Sequence, residues 1–259
     1  MSTRMFSFSR ISFFVGIVFF VCLFLFAGSF FSKDLKCFFL KDVNTCLYMA
    51  GKIFNQRSGY LDLEKSEIYY LEAEGLSSSL TIKYQLSRIY FLTGNFNFSL
   101  YYLSKILEVD GDNNEALYLR GLVYGFQQKY KLAELDFKKY TSISPGVWAG
   151  WNDLSWIYLK QGEYEKAEGT ALEGLTRFPA NPWLHNQLAV ALLNQESYEG
   201  ALEHFRTALS GFEKLKPEEW AAAYPGNSSL DRESGYTNAL IAVRNNIELV
   251  ESKLKIKAP

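Results

Sequence analysis

Residues 148–181 read WAGWNDLSWIYLKQGEYEKAEGTALEGLTRFPAN, and the same pattern returns 34 residues later. Leu154 is answered by Leu188, Tyr164 by Tyr198, Ala167 by Ala201 and Leu175 by Leu209. One period earlier it is carried by Gly121, Tyr124, Tyr130, Ala133, Phe137 and Pro145. A fixed period of this length marks a solenoid, in which each unit is a supersecondary element too small to bury its own apolar face. The residue types supply the packing logic. Small side chains (Gly121, Ala133, Ala167, Ala189, Ala201) let two helices approach closely, and large ones (Tyr124, Phe137, Tyr158, Phe205) fill the space between units.

These residues resemble the tetratricopeptide repeat (TPR) family, whose helix-turn-helix motif spans 34 residues. The resemblance implies an all-α, right-handed superhelical solenoid of TPR helix-turn-helix repeats. Four repeats fall in register, at 80–113, 114–147, 148–181 and 182–215. In 80–113 the pattern is carried by Leu86, Tyr90, Gly94, Phe96, Leu103, Ile106 and Leu107, with Ser87, Ser99 and Gly111 in place of Gly, Ala and Pro. In 114–147 Arg120 replaces the usual Leu, and Tyr140 is bulkier than the pattern. The Arg120 stem either lies along the core edge with its head in water or points into the groove. In 182–215 His185 stands in for a large aromatic. Residues 44–79 are similar to an irregular, SEL-like first hairpin, with Gly51, Phe54, Ser66, Tyr70 and Ala73 at the motif positions and a lengthened turn, NQRSGYLDLEK, between its helices. Residues 216–234, with Pro217, Pro225, Gly226 and Asn227-Ser228-Ser229, read as a loop interrupted by a short helical piece. Residues 235–259 then hold a helix whose Leu240, Val243, Ile247, Val250 and Leu254 form one apolar face. That face suits a cap on the last repeat; a partner-binding helix is the alternative.

At the other end, residues 11–31 (ISFFVGIVFFVCLFLFAGSFF) contain no charge in 21 positions. As a helix this spans roughly 30 Å, the thickness of a bilayer core, and it has no polar stripe. The reading is one transmembrane helix behind a tail of residues 1–10, with a juxtamembrane linker over 32–43. A cleaved signal peptide is the alternative, although the run exceeds the usual signal core and Ala27-Gly28-Ser29 is followed by Phe30-Phe31. Arg4 and Arg10 before the segment nearly balance Lys33, Lys36 and Lys41 after it, so orientation is weakly determined. A short tail before a long soluble region leans towards an extracytoplasmic, periplasmic-side domain. Cys37 and Cys46 are either a disulfide formed in an oxidising compartment or two unpaired thiols.

Chemistry is sparse. The net charge of −1 and pI near 6.2 give no field for nucleic acid. The two His, His185 and His204, read as packing residues, no His/Cys/Asp cluster has metal spacing, and no cofactor is expected. Glu163 and Glu165 are read as exposed carboxylates with no reason for a shifted pKa. The sequence is therefore not read as an enzyme; a membrane-tethered regulator or cofactor-carrying enzyme is a third class that no residue specifies. What remains is the groove that the resemblance implies on the first helices of the repeats. Carried over by position, it is lined by Tyr84, Arg88 and Phe91, then Tyr118, Leu122 and Phe126, then Asn152, Trp156 and Lys160, then Asn186, Val190 and Asn194. Aromatics offer burial and Asn amides bond both peptide N–H and C=O, which suits an extended or helical protein segment with an apolar part. Tyr118 and Leu122 stand where a carboxylate-clamping TPR would need Lys and Asn. The expectation is a membrane-anchored adaptor or scaffold for other proteins, set in assembly or quality control of an envelope complex. A secreted or periplasmic interaction protein is the alternative.

Overall fold

Every repeat needs one sharp reversal between its two helices, and the backbone shows where it falls. The computed structural model describes residues 33–54, 62–223 and 232–257. Among them a left-handed residue recurs at a 34-residue spacing: Gly94 (φ 75°), Gln128 (φ 60°), Gly162 (φ 72°) and Glu196 (φ 59°). Glycine accepts this conformation freely, whereas an L side chain there costs about 1–2 kcal/mol. Gln128 and Glu196 hold it because the helices on either side are fixed by packing.

The described secondary structure is entirely helical: α1 Lys33–Leu40, α2 Val43–Phe54, α3 Leu63–Leu76, α4 Leu80–Leu92, α5 Phe96–Val109, α6 Asn114–Phe126, α7 Tyr130–Ile143, α8 Trp148–Gln161, α9 Tyr164–Arg177, α10 Pro182–Asn194, α11 Tyr198–Glu213, α12 Pro217–Ala223 and α13 Arg232–Lys257. Helix starts carry side-chain caps where the sequence provides them. Asp62, Asn113 and Asn181 accept from the backbone N–H of Lys65, Ala116 and Leu184 at 2.9, 3.0 and 3.0 Å. Each satisfies an orphan donor of the first turn.

The helices pack as five antiparallel pairs, α2/α3 to α10/α11. The second helix of each pair rests on the first helix of the next, and the first helices α4, α6, α8 and α10 touch along one side. The small residues sit at the crossings. Ser66, Ser99 and Ser155 are fully buried there, and each hydroxyl donates to a carbonyl of the facing helix (Ala50, Ser87 and Ala167, 2.9–3.0 Å). Ser therefore replaces Ala without leaving a buried polar atom unpaired.

Two ends differ from the expected boundaries. Part of the stretch expected as a linker, 32–43, forms α1, because Cys37 and Phe38 have partners: Phe38 stacks on Tyr69 at 5.2 Å, and Cys37 is disulfide-bonded to Cys46, both fully buried. At the far end α13 lies against α11, burying Val243 and Val250 with Leu240, Ile247 and Leu254 beside them. Arg206–Glu251 and Arg244–Glu213 bridge the two helices at 2.8 and 2.7 Å. Most of the lengthened turn of the first hairpin, and residues 11–31, lie outside the described residues. No helix among the described residues is long and apolar enough to cross a membrane.

Candidate functional site

The twelve groove positions are contributed by α4, α6, α8 and α10, and the structure divides them in two. One set stays open. Phe126 is 58% exposed, with Phe91, Phe96 and Trp156 packed around it at centroid distances of 5.5, 6.3 and 6.4 Å. Lys160 lies 5.9 Å over the Trp156 ring, a cation above an aromatic face. Gly125 makes this row possible: a Cβ there would lie 2.7 Å from Trp156 Cζ3. Tyr84 is half-buried, and its hydroxyl is pushed up to about 12 by burial, with Arg88 opposing. The Arg88 guanidinium lies 4.5 Å over Phe54 and donates to Gln85 Oε1 at 3.0 Å. Val190 and Asn186 are half-buried, and Asn194 is exposed with its amide donating to Val190 O at 2.8 Å. Asn186 Oδ1 is buried and accepts no hydrogen bond.

The other set is closed, which corrects the expectation of an exposed face. Tyr118, Leu122 and Asn152 are buried to within a few per cent. Repeat position indicates the side of the helix, but Tyr118 and Leu122 belong to the core that also holds Phe137, Tyr140 and Leu154, and Asn152 is buried beside Asp153. Tyr118 packs on Tyr140 and Phe137 (5.0 and 5.8 Å), and its hydroxyl donates to Asp153 Oδ2 at 2.7 Å. Asn152 Nδ2 donates to Asp153 Oδ1 at 3.0 Å. Asp153 is thus the buried hub of the groove floor. Its signal in the sequence was only an acid beside Asn152, on a helix otherwise rich in apolar residues.

Three further groupings were not legible from spacing. The Arg120 head is only partly in water, its side chain 24% exposed; it makes a two-pronged pair with Asp136, Nε to Oδ2 at 2.8 Å and Nη2 to Oδ1 at 2.7 Å. Glu134, almost buried, accepts from Lys138 (2.8 Å), Gln161 (3.2 Å), Lys131 (3.3 Å) and the Tyr158 hydroxyl (3.3 Å), so it ties α7 to α8. Burial pushes its carboxyl up, but the bonds from Lys138, Gln161 and Lys131 together outweigh that and hold it at about 2. Glu163, expected unshifted, is lowered by Lys166 and Lys131. The rings of His185 and His204 stack with their Nδ1 atoms 3.1 Å apart, and His185 Nε2 is 2.9 Å from Pro179 O. An Nε2–H donating to Pro179 O leaves His185 Nδ1 to accept from His204 Nδ1–H. Burial lowers the His204 pKa, and His185 adds to the shift. Among the described residues no three His, Cys, Asp or Glu side chains gather in a metal-holding group. A cleft of about 500 Å³ lies between α7, α8 and α9, lined by Lys138, Trp151, Tyr158, Glu173 and Arg177 among others.

Glu134 gives the solenoid an acid limit. Because its folded pKa lies below the ordinary 4.5, its contribution is complete above about 4.5 and is lost as pH falls towards 2. Glu134→Gln is expected to flatten the loss of thermal stability on acidification across that window. A variant melting profile as steep as the parent's would show that other carboxylates govern it.

Residues 118–182 match the tetratricopeptide repeat family model. No curated protein sequence gives a match. Among solved structures, a crystal structure of MamA is similar at TM-score 0.58 with 17% identity, covering 66% of this chain and 92% of that one. The MamA 41-end structure from Desulfovibrio magneticus RS-1 is similar at TM-score 0.60 and 16% identity, over 67% and 97% of the two chains. YrrB, described as a TPR protein with an unusual peptide-binding site, is similar at TM-score 0.56 and 16% identity, over 70% and 92%. The match assigns residues 118–182 to tetratricopeptide repeats, and the likenesses show the fold, helical pairs stacked as a solenoid.

Proposed function

We propose that the protein is a membrane-anchored scaffold that holds a segment of another protein in the groove formed by α4, α6, α8 and α10. The observation that carries this is the open aromatic row Phe91–Phe126–Trp156. Around it stand Lys160 and, further along the groove, Asn186 Oδ1, a buried acceptor with no partner. Rigid aromatics with adjoining amides give apolar burial and main-chain hydrogen bonding, the two needs of a bound peptide. The peptide-binding site described for YrrB agrees with a peptide as ligand. The setting we infer is assembly or quality control of an envelope complex, with 11–31 as the tether.

The buried Cys37–Cys46 bond favours the extracytoplasmic side, since such bonds persist in oxidising compartments. In whole cells both thiols are expected to resist alkylation until reductant is added. Free alkylation without reductant would place the solenoid in the cytoplasm.

The groove is tested by cross-linking the full chain in detergent extract and identifying what is joined to it. Phe126→Ala combined with Trp156→Ala is expected to weaken capture by about tenfold or more, as truncation of central aromatic anchors does. Tyr118 is not used, because its burial against Asp153 would confound fold with binding. Unchanged capture by a double variant with a parental circular dichroism spectrum would exclude the groove.

A further inference from the structure

Away from the groove, a second apolar surface runs across the second helices of the pairs. On α5, Phe98 and Tyr101 are 60% and 56% exposed; on α7, Leu132 and Leu135 are 44% and 65% exposed. Each pair is spaced i, i+3, so both members share one helix face. The two pairs occupy identical repeat positions, 34 residues apart. On α3 the matching positions are Lys65 and Ile68, with exposed Leu71 one turn further on. On α9 and α11 they become Lys166, Gly169, Gly200 and Glu203. The paired apolar positions therefore lie on α5 and α7, while Leu172 on α9, 45% exposed at the repeat position of Leu71, carries the surface one pair further before Arg206 ends it on α11. Two exposed apolar pairs in register on successive repeats point to a surface that meets a partner or a membrane.

Chain polarity indicates what covers it. α1 and α2 are joined by Lys41 and Asp42 alone and pack against each other, held by the Cys37–Cys46 bond. They are therefore antiparallel, which makes α1 parallel to α3, α5 and α7. The first residue of α1, Lys33, lies at the same edge of the solenoid as the first turns of those helices. The apolar segment 11–31 ends two residues before Lys33, so at most about 7 Å of chain separates them. Phe98 and Leu132 stand in the first turns of α5 and α7, at that edge, and Tyr101 and Leu135 lie one turn, about 4.5 Å, further along.

We propose that this edge of the solenoid rests on the bilayer, with Phe98, Tyr101, Leu132 and Leu135 in the interfacial layer. The proposal rests on the anchor reading above and adds an orientation to it. The interfacial layer is about 5–7 Å deep on each side of the hydrocarbon core, enough to receive the first turns of α5 and α7. Aromatic rings are the side chains that layer favours, and exposed Lys65 stands at headgroup level beside them. The second helices then face lipid at their starts, while the groove on the first helices stays open for protein.

The test uses the full chain reconstituted in phosphatidylcholine vesicles, with the photoreactive p-benzoylphenylalanine placed singly at 98, 132 or, as control in the same register on α11, 203. After irradiation the chain is weighed, and alkaline carbonate extraction is run in parallel. Lipid adducts at 98 and 132 exceeding those at 203 by about tenfold support the proposal, since burial of one large apolar side chain biases contact that far. Adducts between two chains at 98 and 132 would overturn it in favour of a second copy. Resistance to carbonate with no lipid adduct at 98 or 132 overturns the resting edge and leaves the anchor standing. Release by carbonate with lipid adducts retained at 98 and 132 overturns the anchor and leaves the edge standing, and release without adducts overturns both.

Discussion

Arg120→Leu is expected to destabilise the solenoid by about 3–5 kcal/mol, although it restores the residue that the repeat pattern favours. The reason is Asp136, which is 5% exposed and takes both prongs of the guanidinium. Removing Arg120 alone strands a buried carboxylate between α6 and α7. Arg120→Leu combined with Asp136→Leu removes both charges and is expected to return near the parent's stability, since apolar residues of similar volume replace buried ion pairs at little cost. Urea denaturation of the parent, the single and the double variant checks both points. A single variant as stable as the parent would mean that the pair is too well solvated to matter.

Phe137→Ala is expected to cost a similar amount, about 3–5 kcal/mol, because it empties a fully buried contact between α6 and α7. The ring is fully buried and meets Tyr118 edge-on at 5.8 Å. It lies so near Gly121 that a Cβ there would be 2.9 Å from Phe137 Cζ. Gly121→Ala alone is accordingly expected to overpack the crossing and cost about 1–3 kcal/mol. Gly121→Ala with Phe137→Leu should be less damaging than the two single costs added, since the smaller side chain makes room for the methyl group. A thermal-denaturation cycle that came out additive would show that the two residues do not compete for one space.

The helical pairs could be read from residues alone because their rule is one-dimensional. Small residues at one offset and large ones at another recur every 34 positions, and any chain with that rhythm must stack neighbours to bury itself. Gly94 and Gly162 marked two of the reversals for the same reason. Gln128 and Glu196 did not mark theirs, since nothing local favours a left-handed Gln or Glu; packing imposes it. α1 lies where the sequence suggests a linker because eight residues are too few to hold a helix by themselves, and its order comes from Cys46 and Tyr69.

The groove shows the same division. The family resemblance placed Phe126, Trp156 and Lys160 on the groove side of their helices, where Phe126 and Lys160 are exposed and Trp156 is half-buried. It placed Tyr118, Leu122 and Asn152 on that side too, but whether a following helix covers a given turn depends on the angle at which repeats stack, which no single repeat encodes. Asp153 and Asp136 are buried polar centres only through partners 35 and 16 residues away. The sequence by itself thus determined the repeat, its register and the residue types at each crossing, because these follow from burial along one helix. The tertiary structure alone decided which polar groups are paired in the interior and which apolar ones stay exposed, because both depend on contacts between helices that are distant in the chain.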